Sequence, residues 1–353
     1  MAGEETDRVP IYDLLRNDAA FAHYGGEPLP ALAPDAETVA ELERISGSAV
    51  SEFLDMTRSV SFGPVEEKDS TDEYGFVTHQ APFEKTSWIV SRPFDDERGA
   101  AEYLKEWIGS VKETTRAIES NPASHREQFH RKFSEIQGRI GDTVNLLTQH
   151  GIGLDNVRHR MGLDLFCYVQ ADDPGLIEEA LEAQTCRNIV ECHAVADYKL
   201  SPCVLTYGDI AYKNALIHSP DFLRESFFPR IKRLNDAWHE HGLKCLFHSD
   251  GYLMDVMDDL LATDIDGLNP IETVAGMSLK ETRERCGDGI FLAGGIDMSQ
   301  LLSNGSPDEV REVCRAAIRD ASPGYFIGST TESDNSCKLK NLQVMWEVAR
   351  EQV

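Results

Sequence analysis

From about residue 140 onward, short apolar runs alternate with longer amphipathic ones, and this repetition limits the possible folds more than any other feature of the chain. Parallel strands joined by crossover helices give that pattern, because a parallel pair needs a dozen or more residues to return to its starting edge. Candidate strands are 143–147, 203–207, 244–248, 266–270, 290–294 and 325–328, each followed by a helical segment. Ser219-Pro220 and Ser306-Pro307 each put a capping hydroxyl before a proline at the first helical position, and Gly242 follows the last turn of the helix opened by Ser219. Residues 110–140 read as helical and polar, and a helix over 339–351 closes the series. The N-terminal part is less regular, with 9–12 and 75–78 as candidate early strands.

No low-complexity tract and no proline-rich or glycine/serine-rich linker divides the chain. The expected architecture is therefore α/β: a parallel (β/α) barrel of the TIM type forming a single domain over 1–353, with an N-terminal extension. Residues 1–80 would cap the barrel or supply its early strands, and 140–353 would carry its best-defined part. A length of 353 residues and a hydrophobic content of 41% suit such a unit. Barrels of this kind need about 250 residues and commonly carry insertions beyond that.

Charge narrows the function. Against 34 basic residues stand 61 acidic ones, a formal net charge of -27. Such a surface repels polyanions, which argues against nucleic acid or an anionic membrane as partner. The same composition suits a high-salt cytoplasm and an ordinary acidic protein equally. The eight cysteines contain no Cys-x-x-Cys pair and fall largely in apolar segments, so they read as reduced core residues. The first residues lack a basic region followed by an apolar stretch, and no run approaches the roughly eighteen apolar residues of a membrane span. The expectation is a cytoplasmic protein, with a homodimer as the commonest assembly.

In a parallel barrel the reactive groups come from strand C-termini and the loops that follow them. Four of the candidate strands end in polar groups. Cys203–Tyr207 runs on to Gly208-Asp209; Lys244–His248 runs on to Ser249-Asp250-Gly251; the next two reach Asn269-Pro270-Ile271-Glu272 and Gly294-Gly295-Ile296-Asp297. Strand side chains alternate between faces, so His248 and Asp250 point the same way if the strand continues that far, and Tyr207 shares a face with Asp209. Candidate catalytic groups are His248, Asp250, Asp209 and Glu272; candidate substrate contacts are Tyr207, Asn269, Asp297 and Thr331. A strand-end acid can equally cap the next helix, the alternative for Asp297, and Tyr207 can simply pack at the mouth. His248 with Asp250 can bind a metal or act as an acid/base pair in which Asp250 orients the ring. Lys213 and His218 follow in a loop and read as ordinary solvated loop residues.

Taken in order, Thr206 to Tyr212, His248-Ser249-Asp250-Gly251, the 266–272 segment with Ala275-Gly276-Met277, Gly294-Gly295-Ile296-Asp297, and Gly324-Tyr325-Phe326-Ile327 ahead of Asn341 resemble the uroporphyrinogen decarboxylase superfamily. The likeness is good over 200–350 and loose over 1–140. It implies a (β/α)8 barrel and one of two activities: cofactor-free decarboxylation of uroporphyrinogen, or zinc-dependent methyl transfer involving corrinoid proteins or thiols. The decarboxylases carry an N-terminal Arg-Gln-Ala-Gly-Arg loop that clamps substrate carboxylates. That string is missing here, and Arg92 is the nearest basic residue in a plausible loop.

The methyltransferases of the superfamily have His-x-Cys-Gly where this chain has His248-Ser249-Asp250-Gly251, and a second cysteine where it has Thr331. A two-sulfur zinc site is therefore not supported; zinc would need an oxygen-rich set drawn from His248, Asp250, Glu272 and Glu332, and without a metal His248 and Asp250 remain an acid/base pair. With soft ligands gone, a small methylated or methoxylated substrate suits the site better than a thiol, with a corrinoid protein as partner. The alternative is a carboxy-lyase of the porphyrin-pathway type with metal-free acid/base chemistry, and the third reading is a non-catalytic binding barrel.

Overall fold

The computed structural model describes residues 7–351 except 34, 61, 84 and 150. Eleven strands occur among them: β1 (Met56–Thr57), β2 (Lys68–Thr71), β3 (Val77–Ala81), β4 (Thr86–Ser91), β5 (Val144–Asn145), β6 (Leu147–Gln149), β7 (Cys203–Tyr207), β8 (Lys244–His248), β9 (Gly267–Asn269), β10 (Phe291–Ile296) and β11 (Tyr325–Ser329). β6 to β11 form one six-stranded sheet in sequential order, every pairing parallel. The six candidate strands read from the sequence match β5/β6 and β7 to β11.

The ladder continues past both edges. Beside β11, the Tyr12 amide donates to the Ile327 carbonyl at 2.9 Å and the Ile327 amide to the Pro10 carbonyl at 3.0 Å. Ile11 in turn accepts from the Met56 amide at 3.1 Å, β1 pairs with β5 in parallel, and β5 leads through Leu146 into β6. Gly328 permits the first of these junctions: a Cβ there would lie 1.7 Å from the Tyr12 carbonyl oxygen.

One expected early strand is corrected. Residues 75–78 do not join the parallel ladder, because β3 lies in a separate antiparallel sheet of order β2-β3-β4. The Asp72 carboxylate accepts from the Tyr74 and Phe76 amides, both at 3.0 Å, fixing the tight turn that returns β3 along β2. Residues 110–140 are helical as expected, divided at Asn121 between Glu97–Ser120 and Pro122–Arg139. Asn121 caps the second of these helices, with Pro122 as its first residue.

Apolar side chains settle into layers. Tyr12, Met56, Leu146, Cys203, Leu205, Leu246, Phe291, Ala293 and Phe326 form one buried cluster drawn from successive parallel strands. A larger cluster, including Phe247, Leu268, Leu292 and Ile327 from the opposite strand faces, packs against the helices. Alternation thus places His248 on the same face as Leu246, one residue pair nearer the C-terminal rim. Both helix starts read from the sequence hold. Ser219 accepts from the Phe222 amide at 3.2 Å, and Ser306 with Glu309 forms a reciprocal capping box before Pro307–Ala321. No helix among the described residues is long and apolar enough to cross a membrane.

Candidate active site

His248 ends β8 with 6% of its surface exposed, and its ring orientation is determined by β9. The Asn269 amide nitrogen donates to the Ala293 carbonyl at 3.1 Å, which turns its Oδ1 toward His248 Nδ1 at 2.7 Å. An acceptor at Nδ1 requires the proton there, so Nε2 is left with its lone pair available. The Tyr12 hydroxyl approaches the same Oδ1 at 3.5 Å.

Arg58, just beyond β1, reaches across the strand ends. Its Nη1 lies 3.2 Å from Nδ1 and 3.3 Å from Nε2 of His248; with the Nδ1 proton directed at Asn269, the guanidinium donates toward Nε2. The other nitrogen donates to the Thr331 carbonyl at 2.8 Å and faces Glu332 at 3.5 Å. Burial and this guanidinium together hold the imidazole well below its ordinary pKa, so His248 is neutral at physiological pH.

Asp250 carries on along the same direction, with Oδ1 3.8 Å from His248 Nε2, too far for a hydrogen bond. That oxygen is buried and makes no hydrogen bond among the described residues. Its backbone amide donates to Asp209 Oδ1 at 3.1 Å, and the next amide, of Gly251, donates to Glu272 Oε2 at 2.7 Å. Gly251 has φ +95°, and a side chain there would meet the Ala211 backbone at 2.6 Å. The turn that aims Asp250 thus depends on glycine and on two carboxylates. Burial first, then the charges of Asp209 and Glu272, push the Asp250 carboxyl up to about 7.

One liganding atom each from Asp209, His248 and Asp250 lies within 4.8 Å of the other two. These three could hold a metal ion in exchange for the Arg58 contact: Nε2 is unprotonated, Asp250 Oδ1 makes no hydrogen bond among the described residues, and Asp209 supplies a second carboxylate. Glu272 and Glu332, the other two expected ligands, are placed differently. Glu272 supports the Gly251 turn, while Glu332 pairs with Arg16 at 3.2 Å and faces Arg58.

A cavity of about 550 Å³ opens beside the cluster, with Tyr207, Asp209, Asp250, Asp155, Arg158 and Arg92 in its wall. The Tyr207 and His248 rings meet edge to face, with centroids 6.4 Å apart. Asp155 accepts from the Asp209 amide at 2.9 Å and pairs with Arg158, which also donates to the Asp209 carbonyl at 2.7 Å. Burial pushes the Asp155 carboxyl up to about 6 in spite of that arginine. Burial, with a smaller push from Arg158 3.3 Å away, holds His218 down to about 4. Arg92 spends its Nε and Nη2 on the carbonyls of Arg160 and His159, at 2.8 and 3.0 Å.

The remaining expected contacts have structural partners. Asp297 accepts from the Ser299, Gln300 and Leu301 amides and from the Ser299 hydroxyl, at 2.8–3.1 Å, and so caps the turn after β10. Thr331 presents its carbonyl to Arg58. Asn269 orients His248. Sequence reasoning did not identify Arg58, Arg16 or Asp155. Each follows a short strand or bridge of the ladder, and Asp155 lies in the first turn of the helix Leu154–Met161 that follows β6.

No family model and no curated protein matches this chain. Among solved structures, a methyltransferase from Methanosarcina mazei superposes with a TM-score of 0.65 at 16% identity, covering 99% of this chain and 95% of its own. A putative vitamin-B12 independent methionine synthase from Listeria monocytogenes gives a TM-score of 0.39 at 13% identity, over 63% of this chain and 67% of its own. The chain thus shares the fold of the Methanosarcina methyltransferase along nearly its whole length, in keeping with the resemblance to the uroporphyrinogen decarboxylase superfamily drawn from its sequence.

Proposed function

We propose that this protein is a methyl-transfer enzyme on a single eight-stranded (β/α) barrel, taking a methyl group from a small methylated or methoxylated compound and passing it to a corrinoid protein. The barrel reading is supported by the parallel bonds that carry the ladder from β11 through Ile11 and Tyr12 to β1, β5 and β6. The observation carrying the functional reading is the meeting of Asp209, His248 and Asp250 at adjacent strand ends, with Nε2 of His248 unprotonated because Asn269 fixes the tautomer.

Zinc fits these groups: His248 Nε2 and the Asp209 and Asp250 carboxylates would hold it. Bound there, it would supply Lewis acidity toward the heteroatom that carries the methyl group. The residues themselves do the positioning. Arg58 keeps His248 neutral, Asn269 keeps its ring aimed, Glu272 holds the Gly251 turn, and Tyr207 lines the wall beside the cluster. Asp155, with its carboxyl pushed up to about 6, is the other acid on that wall able to hold a proton near neutrality.

One observation favours a second reading, metal-free decarboxylation. The Arg58 cation lies against His248 beside Asp250, whose carboxyl is pushed up to about 7, so an anion-binding group and a proton donor stand together. The deciding experiment offers a panel of methoxylated and N-methylated compounds to the enzyme with reduced corrinoid carrier and follows methylcobalt absorbance. Methylation by the parent chain, lost in His248→Ala and Asp209→Asn, is the expected result. Formation of coproporphyrinogen from uroporphyrinogen, with no donor methylating the corrinoid, would transfer the assignment to the carboxy-lyase.

A further inference from the structure

A second group of liganding side chains lies at the other end of the ladder. The helices Pro174–Val195 and Phe228–Glu240 end shortly before β7 and β8 begin, so their C-termini are at the rim opposite the candidate active site. Cys192 and His193 lie in the last turn of the first helix, and His241 is the C-cap of the second. His193 Nδ1 and His241 Nε2 are 3.0 Å apart, and one liganding atom each from Cys192, His193 and His241 lies within 4.8 Å of the other two. Cys192 is fully buried against the core, while the two imidazoles meet at the surface.

We propose that Cys192, His193 and His241 form a second metal site, for a borderline divalent cation such as zinc, that ties the two helix ends together. A thiolate with two imidazoles selects zinc, cobalt or copper over magnesium or calcium, which take oxygen. Tetrahedral zinc with Zn–N bonds of 2.0–2.1 Å puts two ligating nitrogens about 3.3 Å apart, so the imidazoles need to separate only slightly. Two helix C-termini converge here, and their partial negative charges favour a cation. Glu240 adds a carboxylate whose negative charge acts on both Cys192 and His241. Arg126 opposes the cation, but its own charge is paired with Asp197 at 3.1 Å. By contrast, where His239, Cys245 and Asp266 converge, the Asp266 carboxylate is already engaged by His239, Lys244 and the Cys245 amide.

Cobalt(II) separates the two sites, since only this one contains sulfur. Titrated alone into the chelator-stripped full chain, it should give a strong thiolate-to-cobalt band in the near ultraviolet that reaches its plateau by two equivalents, one for each proposed site. That band should persist in His248→Ala and Asp209→Asn and vanish in Cys192→Ser. Because Cys192 is buried, the surface variants His193→Ala and His241→Ala guard against a folding artefact: each should weaken cobalt binding at least tenfold while the melting temperature of the metal-free protein stays unchanged. Absence of the band in the parent would overturn the site. So would a band of full strength in both histidine variants, which would assign it to a surface thiol such as Cys167 or Cys186.

Discussion

At the scale of single residues, the site is governed by how Asn269 and Arg58 set the state of His248. If Asn269 keeps Nε2 unprotonated, Asn269→Ala should lower metal affinity or turnover by about 10- to 100-fold, the usual effect of losing an outer partner of a metal-bound histidine. A steady-state and metal-titration comparison would show it, and parent-like values in both would refute the tautomer argument. Asp250 titrates in the opposite sense from a surface carboxylate. Its folded pKa is raised to about 7, so its contribution to stability is complete below the unfolded value of about 4 and is lost as pH rises through 7. In the metal-free protein, melting temperature should therefore fall over that interval, and Asp250→Asn should flatten the slope and raise stability at pH 8. A variant less stable than the parent at pH 8 would show that the Asp250 charge is compensated after all. His248, Asp250 and Asp209 were legible in the sequence because each ends or follows a well-marked apolar strand. Glu332 is a candidate ligand from the sequence, but its pairing is not legible there, since the groups that engage it, Arg16 and Arg58, lie 316 and 274 residues away.

At the scale of elements, the strands that sequence periodicity identified are those with a full apolar run, such as Cys203–Tyr207 and Lys244–His248. β1 escaped because two residues cannot display a period, although Met56 and Thr57 are fully buried and pair with β5. The segment around Gly75 was assigned to the ladder because alternation alone does not distinguish a parallel strand from an antiparallel one; the Asp72 turn decides it. The junction beside β11 depends on backbone contact at Gly328, so Gly328→Ala should prevent the Tyr12 segment from docking and leave little folded protein, measured by expression and circular dichroism. A folded variant melting near the parent would show that the junction is dispensable. Asp13 secures the same junction, accepting from the Ser329 amide and from the Ser329 and Ser333 hydroxyls at 2.8–3.0 Å. Asp13→Ala would leave those donors unsatisfied, at a cost on the order of 3 kcal/mol in denaturant unfolding. Asp297→Ala removes only a cap, so about 1–2 kcal/mol should be lost with metal affinity intact. Loss of metal there would instead make Asp297 part of the site.

At the scale of the whole molecule, a net charge of -27 sets the background for every interaction. Self-repulsion between acidic groups should make melting temperature rise as sodium chloride approaches 1 M, where the screening length falls to about 3 Å. A flat or falling melting temperature would show that the surface ion pairs outweigh the repulsion. The same excess of negative charge favours cations at both rims of the ladder, where the liganding groups gather. The most direct test of the account is metal content of the full chain, purified without chelator or affinity-tag metal in a Cys192→Ser, His241→Ala background that silences the opposite rim. About one zinc per chain is expected in that background, and none once His248→Ala or Asp209→Ala is added. Equal metal content with and without His248, or no metal in any sample loaded with excess zinc, would contradict a metal centre at the strand ends and leave acid/base chemistry by Asp250 in its place.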